Sequence, residues 1–179
     1  MAFLEYEMYD ENPLTPDDAF DFFVRDNGCS VKSLRDETCI EIKIPEYYHG
    51  KPVTGIGDSA FRNCISLTSV IIPDGVATIG DHAFKGCTEL TSVTIPDSVT
   101  AIGEEAFSGC EFLTSVTIPN SVTIIGAHVF HLCTNLKTII CSGDYDTLKG
   151  VFVQNNPSDE NVLACIEQGA REKLQHVKK

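Results

Sequence analysis

Apolar and polar side chains alternate in short runs along the middle of the chain. Val93, Thr94 and Ile95 show the period-2 pattern of a half-buried strand. Because Pro96 has no backbone N–H to donate to a sheet, we expect that strand to end there. We expect Gly103 to allow a turn with positive φ. The following segment, EEAFSGC, predicts a short helical turn. Its inward-facing residues are expected to be Ala106, Phe107 and Cys110.

The same pattern returns every 23 residues. The residues that recur at this interval are Gly57, Gly80, Gly103 and Gly126; Phe61, Phe84, Phe107 and Phe130; Cys64, Cys87, Cys110 and Cys133; and Leu67, Leu90, Leu113 and Leu136. A strict period predicts one structural unit per repeat. A single unit has too few apolar side chains to offset the entropy lost on ordering its backbone, so the units must stack. The sequence therefore predicts a repeat solenoid in which stacked strands form a parallel sheet, spaced about 4.8 Å.

The repeat resembles a known family. The pattern L-x-x-V-x-I-P-x-x-V-x-x-I-G-x-x-A-F-x-x-C, which runs from Leu90 to Cys110, is similar to the BspA-type leucine-rich repeat. The preceding unit matches it at corresponding positions, and the variant GKPVTGIGDSAFRNC resembles the first repeat of this family. The last unit departs from the pattern at Val129 and Leu132, and its strand ends without proline. The resemblance implies a leucine-rich-repeat solenoid of about four repeats over residues 39–142, with a short parallel sheet on its concave face. It also implies a binding or adhesion module without catalytic residues.

Residues 1–38 are expected to cap one end of the solenoid. Thr15 and Pro16 fit the N-cap and first position of a short helical turn. The alternating run FDFFV, the turn RDNG and the return run CSVKSL predict a β-hairpin. A longer helix over residues 16–26 is the alternative.

Residues 143–179 are expected to cap the other end, with a helix near 157–176. Asn156 fits the N-cap and Pro157 the first helical position. One apolar stripe follows, formed by Leu163, Ile166, Ala170, Leu174 and Val177. The stripe either covers the last coil of the solenoid or serves as a dimerisation or docking helix.

Four of the eight cysteines recur with the repeat, which predicts a ladder of Cys64, Cys87, Cys110 and Cys133. Stacked identical units point their Cβ atoms in the same direction, which opposes disulfide formation between neighbours. We therefore expect reduced cysteines that pack as small apolar side chains. No C-x-x-C motif supports a metal site. The redox states of Cys29, Cys39, Cys141 and Cys165 stay open.

The net charge of the chain limits the classes of partner that it is expected to bind. The chain has 179 residues and a formal net charge of −13, which opposes binding to nucleic acid or to an anionic membrane. The N-terminus lacks the pattern of a signal peptide, and no apolar run approaches a membrane span. We expect a cytoplasmic chain as written, or an extracellular or cell-surface location if it belongs to a longer protein.

Three sets of polar residues are candidates for a functional site. The outer positions of the predicted strands are expected to bind a partner, and they are Ser69, Ile71, Ser92, Thr94, Ser115 and Thr117. Asp74, Asp97 and Asn120 follow the strands and carry oxygen ligands of the kind that Ca²⁺ prefers. His82, Glu105 and His128 share one repeat position and are zinc-ligand types. We expect the first set to be a solvated edge, since it has no EF-type loop, and the second to be exposed and without a cavity. Neither set therefore predicts a metal site.

The sequence favours a non-enzymatic module that binds an unidentified protein through the concave sheet. We expect no cofactor, and a monomer or weak dimer. The sequence has no G-x-S-x-G, P-loop or H-E-x-x-H motif. The alternatives are a polysaccharide-binding or polysaccharide-cleaving solenoid and a purely structural, self-associating scaffold. The cleaving enzyme would need clustered carboxylates with basic partners, whereas the predicted strand face carries Ser and Thr.

Overall fold

A computed structural model describes residues 19–36, 38–141 and 164–166. It contains short strands, and residues 164–166 are helical. The strands are β1 (Phe20–Arg25), β2 (Gly28–Leu34), β3 (Glu41–Lys43), β4 (Tyr47–Tyr48), β5 (Lys51–Ile56), β6 (Ser69–Ile71), β7 (Thr78–Ile79), β8 (Ser92–Thr94), β9 (Ala101–Ile102), β10 (Ser115–Ile118), β11 (Ile124–Ile125) and β12 (Thr138–Cys141). The predicted solenoid is confirmed, since successive repeats stack as coils.

One parallel sheet has the order β12-β10-β8-β6-β3. It is the sheet predicted for the concave face and is called the concave sheet. Its register advances by one repeat per strand, so that Ile71 pairs with Thr94 and Thr94 with Thr117. The strand β8 ends at Thr94, two residues before Pro96, and the prediction that proline stops the strand agrees with this end.

A second sheet has the order β1-β2-β5-β7-β9-β11, with β4 paired to β5. The sequence analysis did not predict it. From β2 to β11 its strands are parallel, and β1 pairs antiparallel with β2. The hairpin β1–β2 therefore extends this sheet past the first coil. The alternative helix over residues 16–26 is wrong for residues 20–25, which form β1. Thr15 and Pro16 lie outside the described residues.

The predicted helical turn in each repeat is replaced by consecutive β-turns. In the third repeat, Ser108 N donates to Glu105 O at 3.0 Å, and Cys110 N donates to Phe107 O at 3.3 Å. Two positions of the turn adopt left-handed backbone, which an α-helix cannot contain. They are occupied by Ser59, His82, Glu105 and His128, and by Asn63, Gly86, Gly109 and Leu132. This conformation directs alternate N–H groups along the solenoid axis, where Phe107 N donates to Val129 O in the next coil at 2.9 Å.

Stacked side chains fill the space between the sheets and the turns. Phe61, Phe84, Phe107 and Phe130 are fully buried and lie nearly parallel, with neighbouring ring centroids 4.9, 5.2 and 5.7 Å apart. Phe20 of the hairpin meets Phe61 edge-on at 6.3 Å. The core is thus a set of continuous files along the solenoid, and the hairpin covers the first member of the phenylalanine file.

The helix predicted near residues 157–176 falls almost entirely outside the described residues. Of its apolar stripe only Ile166 is described, and it is buried together with Cys165. Cys165 Sγ donates to Leu136 O at 2.9 Å, so residues 164–166 contact the last coil. No helix within the described part of the chain has the length and apolarity needed to cross a membrane.

Glycine recurs at this position for a different reason from the expected turn with positive φ. Gly103 does not have positive φ; among the described glycines only Gly50, Gly86 and Gly109 do. A Cβ atom on Gly103 would lie 2.6 Å from both Asp81 N and Gly80 C of the preceding coil. Glycine is needed here because two coils approach too closely for any side chain.

We predict that Gly103→Ala lowers the free energy of unfolding by at least about 2 kcal/mol, because backbone atoms of two coils must move apart. Gly75→Ala is the control, since its Cβ would meet its nearest neighbour, Val53 O, at 3.2 Å. Urea unfolding followed by circular dichroism measures both. Equal effects of the two substitutions would contradict the account of close approach.

Candidate functional site

The outer face of the concave sheet carries the six predicted partner-binding residues in two rows. The central residue of each strand, such as Val93 in β8, points into the core, and its two neighbours point outward. Ser69 pairs with Ser92 in the first row, which is called the serine row. Ile71, Thr94 and Thr117 follow one another in the second row, which is called the threonine row. The face is lined with small hydroxyl groups around Ile71, whose side chain is 46% exposed.

Both rows continue beyond the predicted set. In β3, Glu41 pairs with Ser69 and Lys43 with Ile71. In β12, Thr138 continues the serine row and Ile140 the threonine row by register, but Thr138 is buried and Ile140 is half-buried. Sequence reasoning missed Glu41 and Lys43 because the first repeat is five residues longer. The spacing of 28 between Pro45 and Pro73 was the available signal.

Threonine side chains tie successive coils together beside this face. Thr68 Oγ1 donates to Ile40 O at 3.0 Å, and Thr91 Oγ1 donates to Thr68 O at 3.1 Å. The backbone N–H groups of these two threonines donate to the same two oxygens. Each carbonyl therefore accepts two hydrogen bonds from the next coil. These bonds fix the backbone just before each strand and so hold the outer rows in place.

Polar residues after the strands flank the concave sheet. Asp74, Asp97 and Asn120, the calcium candidates, are all exposed. Within the residues that the structure describes, no group of three or more His, Cys, Asp or Glu side chains is placed to hold a metal ion. The acidic residues therefore contribute negative charge at the border of the face.

His82, Glu105 and His128 lie on neighbouring coils, as their shared repeat position requires. They are half-buried rather than exposed as expected. The Glu105 carboxylate accepts a hydrogen bond from Lys85 Nζ, and His82 Nε2 lies 3.9 Å from Glu105 Oε2. The bond from Lys85 and the nearby positive charges lower the pKa of Glu105, against the opposing effect of burial. Lys85, which sequence reasoning missed, makes this cluster an ion pair between coils.

The repeated cysteines form a file of thiols that bond from coil to coil. All eight cysteines, including the four whose state was left open, are thiols that form no disulfide. Cys87 Sγ donates to Phe61 O at 3.0 Å, Cys110 Sγ to Phe84 O at 3.3 Å and Cys133 Sγ to Phe107 O at 3.1 Å. Burial raises the pKa of Cys87 to about 12 and the pKa of Cys110 well above its ordinary value. The cysteine file is therefore structural, since reactive cysteines have a lowered pKa.

The raised thiol pKa values predict a loss of stability at alkaline pH. An unfolded thiol ionises near pH 9, whereas folded Cys87 keeps its proton to about pH 12. Between these values the folded state holds a proton that the unfolded state has released, so stability falls as pH rises above 9. The loss is up to about 1.4 kcal/mol per pH unit for each such cysteine.

Urea unfolding with a reductant at pH 8 and pH 10.5 measures this loss. Cys87→Ala/Cys110→Ala should be less stable than the natural chain at pH 8, because contacts are lost. Its further decline toward pH 10.5 should be smaller. A decline as large as that of the natural chain would show that these thiols do not control the alkaline limit.

The second sheet also presents an outer face, which the sequence analysis missed together with the sheet itself. A groove of about 670 Å³ lies where the hairpin meets this face. Phe23 and Arg25 line it from β1, and Gly55, Gly57 and Thr78 line it from the first two coils. Further along the same sheet Ile124 is 63% exposed. By register this face also carries a row, formed by Gly55, Thr78, Ala101 and Ile124. Its side chains are mixed in type, and Gly55 has none.

Comparison with known proteins identifies the family of the repeat. A family model described as the BspA type leucine rich repeat region matches residues 53–162 in six copies. The chain belongs to the BspA-type leucine-rich-repeat family. No curated protein is significantly similar to it.

Solved structures of bacterial leucine-rich-repeat proteins resemble this BspA-type chain. The Treponema pallidum protein TpLRR is 28% identical over 70% of each chain, with a TM-score of 0.61. A protein from Bacteroides capillosus is 30% identical, with a TM-score of 0.63 over 70% of this chain and 95% of that one. A protein from Bacteroides ovatus is 30% identical, with a TM-score of 0.54 over 68% of this chain and 39% of that one. These likenesses agree with the repeat solenoid.

Proposed function

We propose that this BspA-type leucine-rich-repeat chain is a non-enzymatic module that binds a protein through its concave sheet. The observation that carries the proposal is the pair of outward-facing rows on the four adjacent parallel strands β3, β6, β8 and β10. Families with this repeat are commonly used for protein interaction, which supports the choice.

The rows suit a protein surface because they are broad and held in place. Four strands at about 4.8 Å cover roughly 14 Å across the sheet. Buried Val70, Val93 and Val116 anchor three of these strands to the core. A surface that is ordered before binding loses little conformational entropy on contact, which favours affinity. Exposed Ile71 is the apolar centre, and hydroxyl groups around it accept and donate hydrogen bonds.

The border of the face indicates the charge of the partner. Asp74 and Asp97 are exposed beside the rows, and the whole chain has a net charge of −13. Opposite charge accelerates encounter and disfavours wrong partners. We therefore infer a partner whose contact surface is basic at its rim and uncharged at its centre.

Cleavage of a polysaccharide fits the face poorly. Glycoside hydrolysis ordinarily requires two carboxyl groups on either side of the scissile bond. In the described rows of the concave sheet, Glu41 is the sole carboxylate, and its neighbours Ser69 and Lys43 offer no second one. The rows are thus better suited to binding than to hydrolysis.

The proposal predicts that Thr94→Lys/Thr117→Lys removes binding to the partner. Two lysines in the centre of the face add bulk and positive charge where a basic partner approaches. Capture from bacterial cell extract and from culture supernatant, with quantitative mass spectrometry, should identify a protein that the natural chain retains. Its recovery should fall at least about 10-fold with the variant, since central contacts dominate binding energy.

Thr78→Lys/Ile124→Lys is the matched control, because both residues are exposed on the outer face of the second sheet. It makes the same charge change and should retain the partner. Circular dichroism should show that both variants are folded. Loss of the partner with the control alone would move the binding surface to the second sheet, and retention by both variants would refute binding through either face.

A further inference from the structure

The two sheets end at different levels at the N-terminal end of the solenoid. Strands β3 and β5 belong to the first coil, but the second sheet continues beyond β5 with β2 and β1. Among the described residues, β3 pairs only with β6. At this end the described strands of the concave sheet therefore stop two strands before those of its neighbour. Two strand spacings correspond to a step about 10 Å deep beside β3.

The backbone of β3 has hydrogen-bonding groups on the side of this step for which the described part of the chain supplies no partner. Thr68 N donates to Ile40 O at 2.7 Å, and Ile44 N donates to Ile71 O at 3.0 Å. The backbone groups of Ile40 and Ile44 thus point toward β6. Because these groups alternate direction along a strand, the N–H and C=O of Glu41 and Lys43 point toward the step.

The charged side chains of β3 also form no ion pair with other described residues. Glu41 Oε2 is buried, and it has no hydrogen-bond partner among the described residues. Lys43 is exposed two residues further along, on the same face of the strand. Leaving a buried carboxylate oxygen unpaired is unfavourable, so turning the Glu41 side chain toward a donor on a bound partner would stabilise the complex.

We propose that the open edge of β3 binds an extended peptide segment of a partner protein as an added antiparallel strand with the sequence Glu-x-Lys. In this register the peptide lysine lies opposite Glu41 and the peptide glutamate lies opposite Lys43. Both peptide residues exchange backbone hydrogen bonds with their opposite residues. Backbone pairing supplies affinity, and the two cross-strand charge pairs supply the sequence preference.

The step favours a single strand over a second copy of this chain. The hairpin β1–β2 projects beyond the first coil on the second sheet. A second copy that paired β3 with β3 would bring its own hairpin into the same space. An extended segment is one strand thick and fits beside the hairpin. Glu41 and Lys43 also end the two outer rows, but this site uses the backbone edge of β3, whereas the protein contact proposed above is centred on β8 and β10.

A titration of the full ¹⁵N-labelled chain, followed by NMR, tests the proposal. The probes are blocked heptapeptides, Thr-Val-Glu-Val-Lys-Val-Thr and its charge-exchanged form Thr-Val-Lys-Val-Glu-Val-Thr. The natural chain should bind the first at least about 5-fold more tightly, with shifts centred on the amides of Glu41 and Lys43. Methylation of the peptide Glu and Lys amide nitrogens should abolish binding.

The variant Glu41→Lys/Lys43→Glu should reverse the preference between the two peptides. If it does not fold, Glu41→Gln/Lys43→Gln should bind both peptides equally. Thr94→Lys/Thr117→Lys should keep the natural preference, which separates this site from the contact proposed at the centre of the concave sheet. The proposal is overturned if neither peptide binds, or if the preference between them does not follow the charges. It is also overturned if the amides of Glu41 and Lys43 are already protected from exchange in the free chain.

Discussion

Hydrogen bonding between successive coils is the constraint on which this structure depends. Gly103 N donates to Ile79 O, and Gly126 N donates to Ile102 O, each at 2.8 Å and each across one repeat. In the turns, Phe107 N donates forward to Val129 O. A coil taken alone would leave these groups unpaired, and unpaired buried backbone groups are costly. Each coil is therefore completed by its neighbours, and the spacing of the backbone is the same for every side chain in a file.

That spacing explains the residues that recur. Glycine occupies the point of closest approach because no Cβ fits there. Phenylalanine rings stack because 4.9 to 5.7 Å between centroids suits parallel aromatic side chains. Cysteine is small enough for its file, and its thiol reaches a carbonyl of the previous coil, as Cys110 reaches Phe84. Each recurring residue type is thus one that fits the spacing between neighbouring coils. The outer rows of the concave sheet have the same regular spacing.

Periodicity predicted the features that depend on many repeats, and it missed those that depend on contacts between coils. The alternation at Val93, Thr94 and Ile95 correctly placed Thr94 on the outer face and Val93 in the core. The second sheet was missed because a two-residue strand such as Ala101–Ile102 is too short to show alternation. The helical turn was wrong because bonds between coils override the local helix preference of EEAFSGC. Glu41 and Lys43 were missed because the first repeat breaks the period.

Native-state amide hydrogen exchange tests most directly whether the coils depend on one another. If neighbouring coils complete each other, the amides of Gly80, Gly103 and Phe107 should exchange with the same free energy, equal to that of global unfolding. Their denaturant dependence should also coincide. The account would be contradicted if the amides of one interior coil exchanged at much lower free energy while those of the adjoining coils stayed protected.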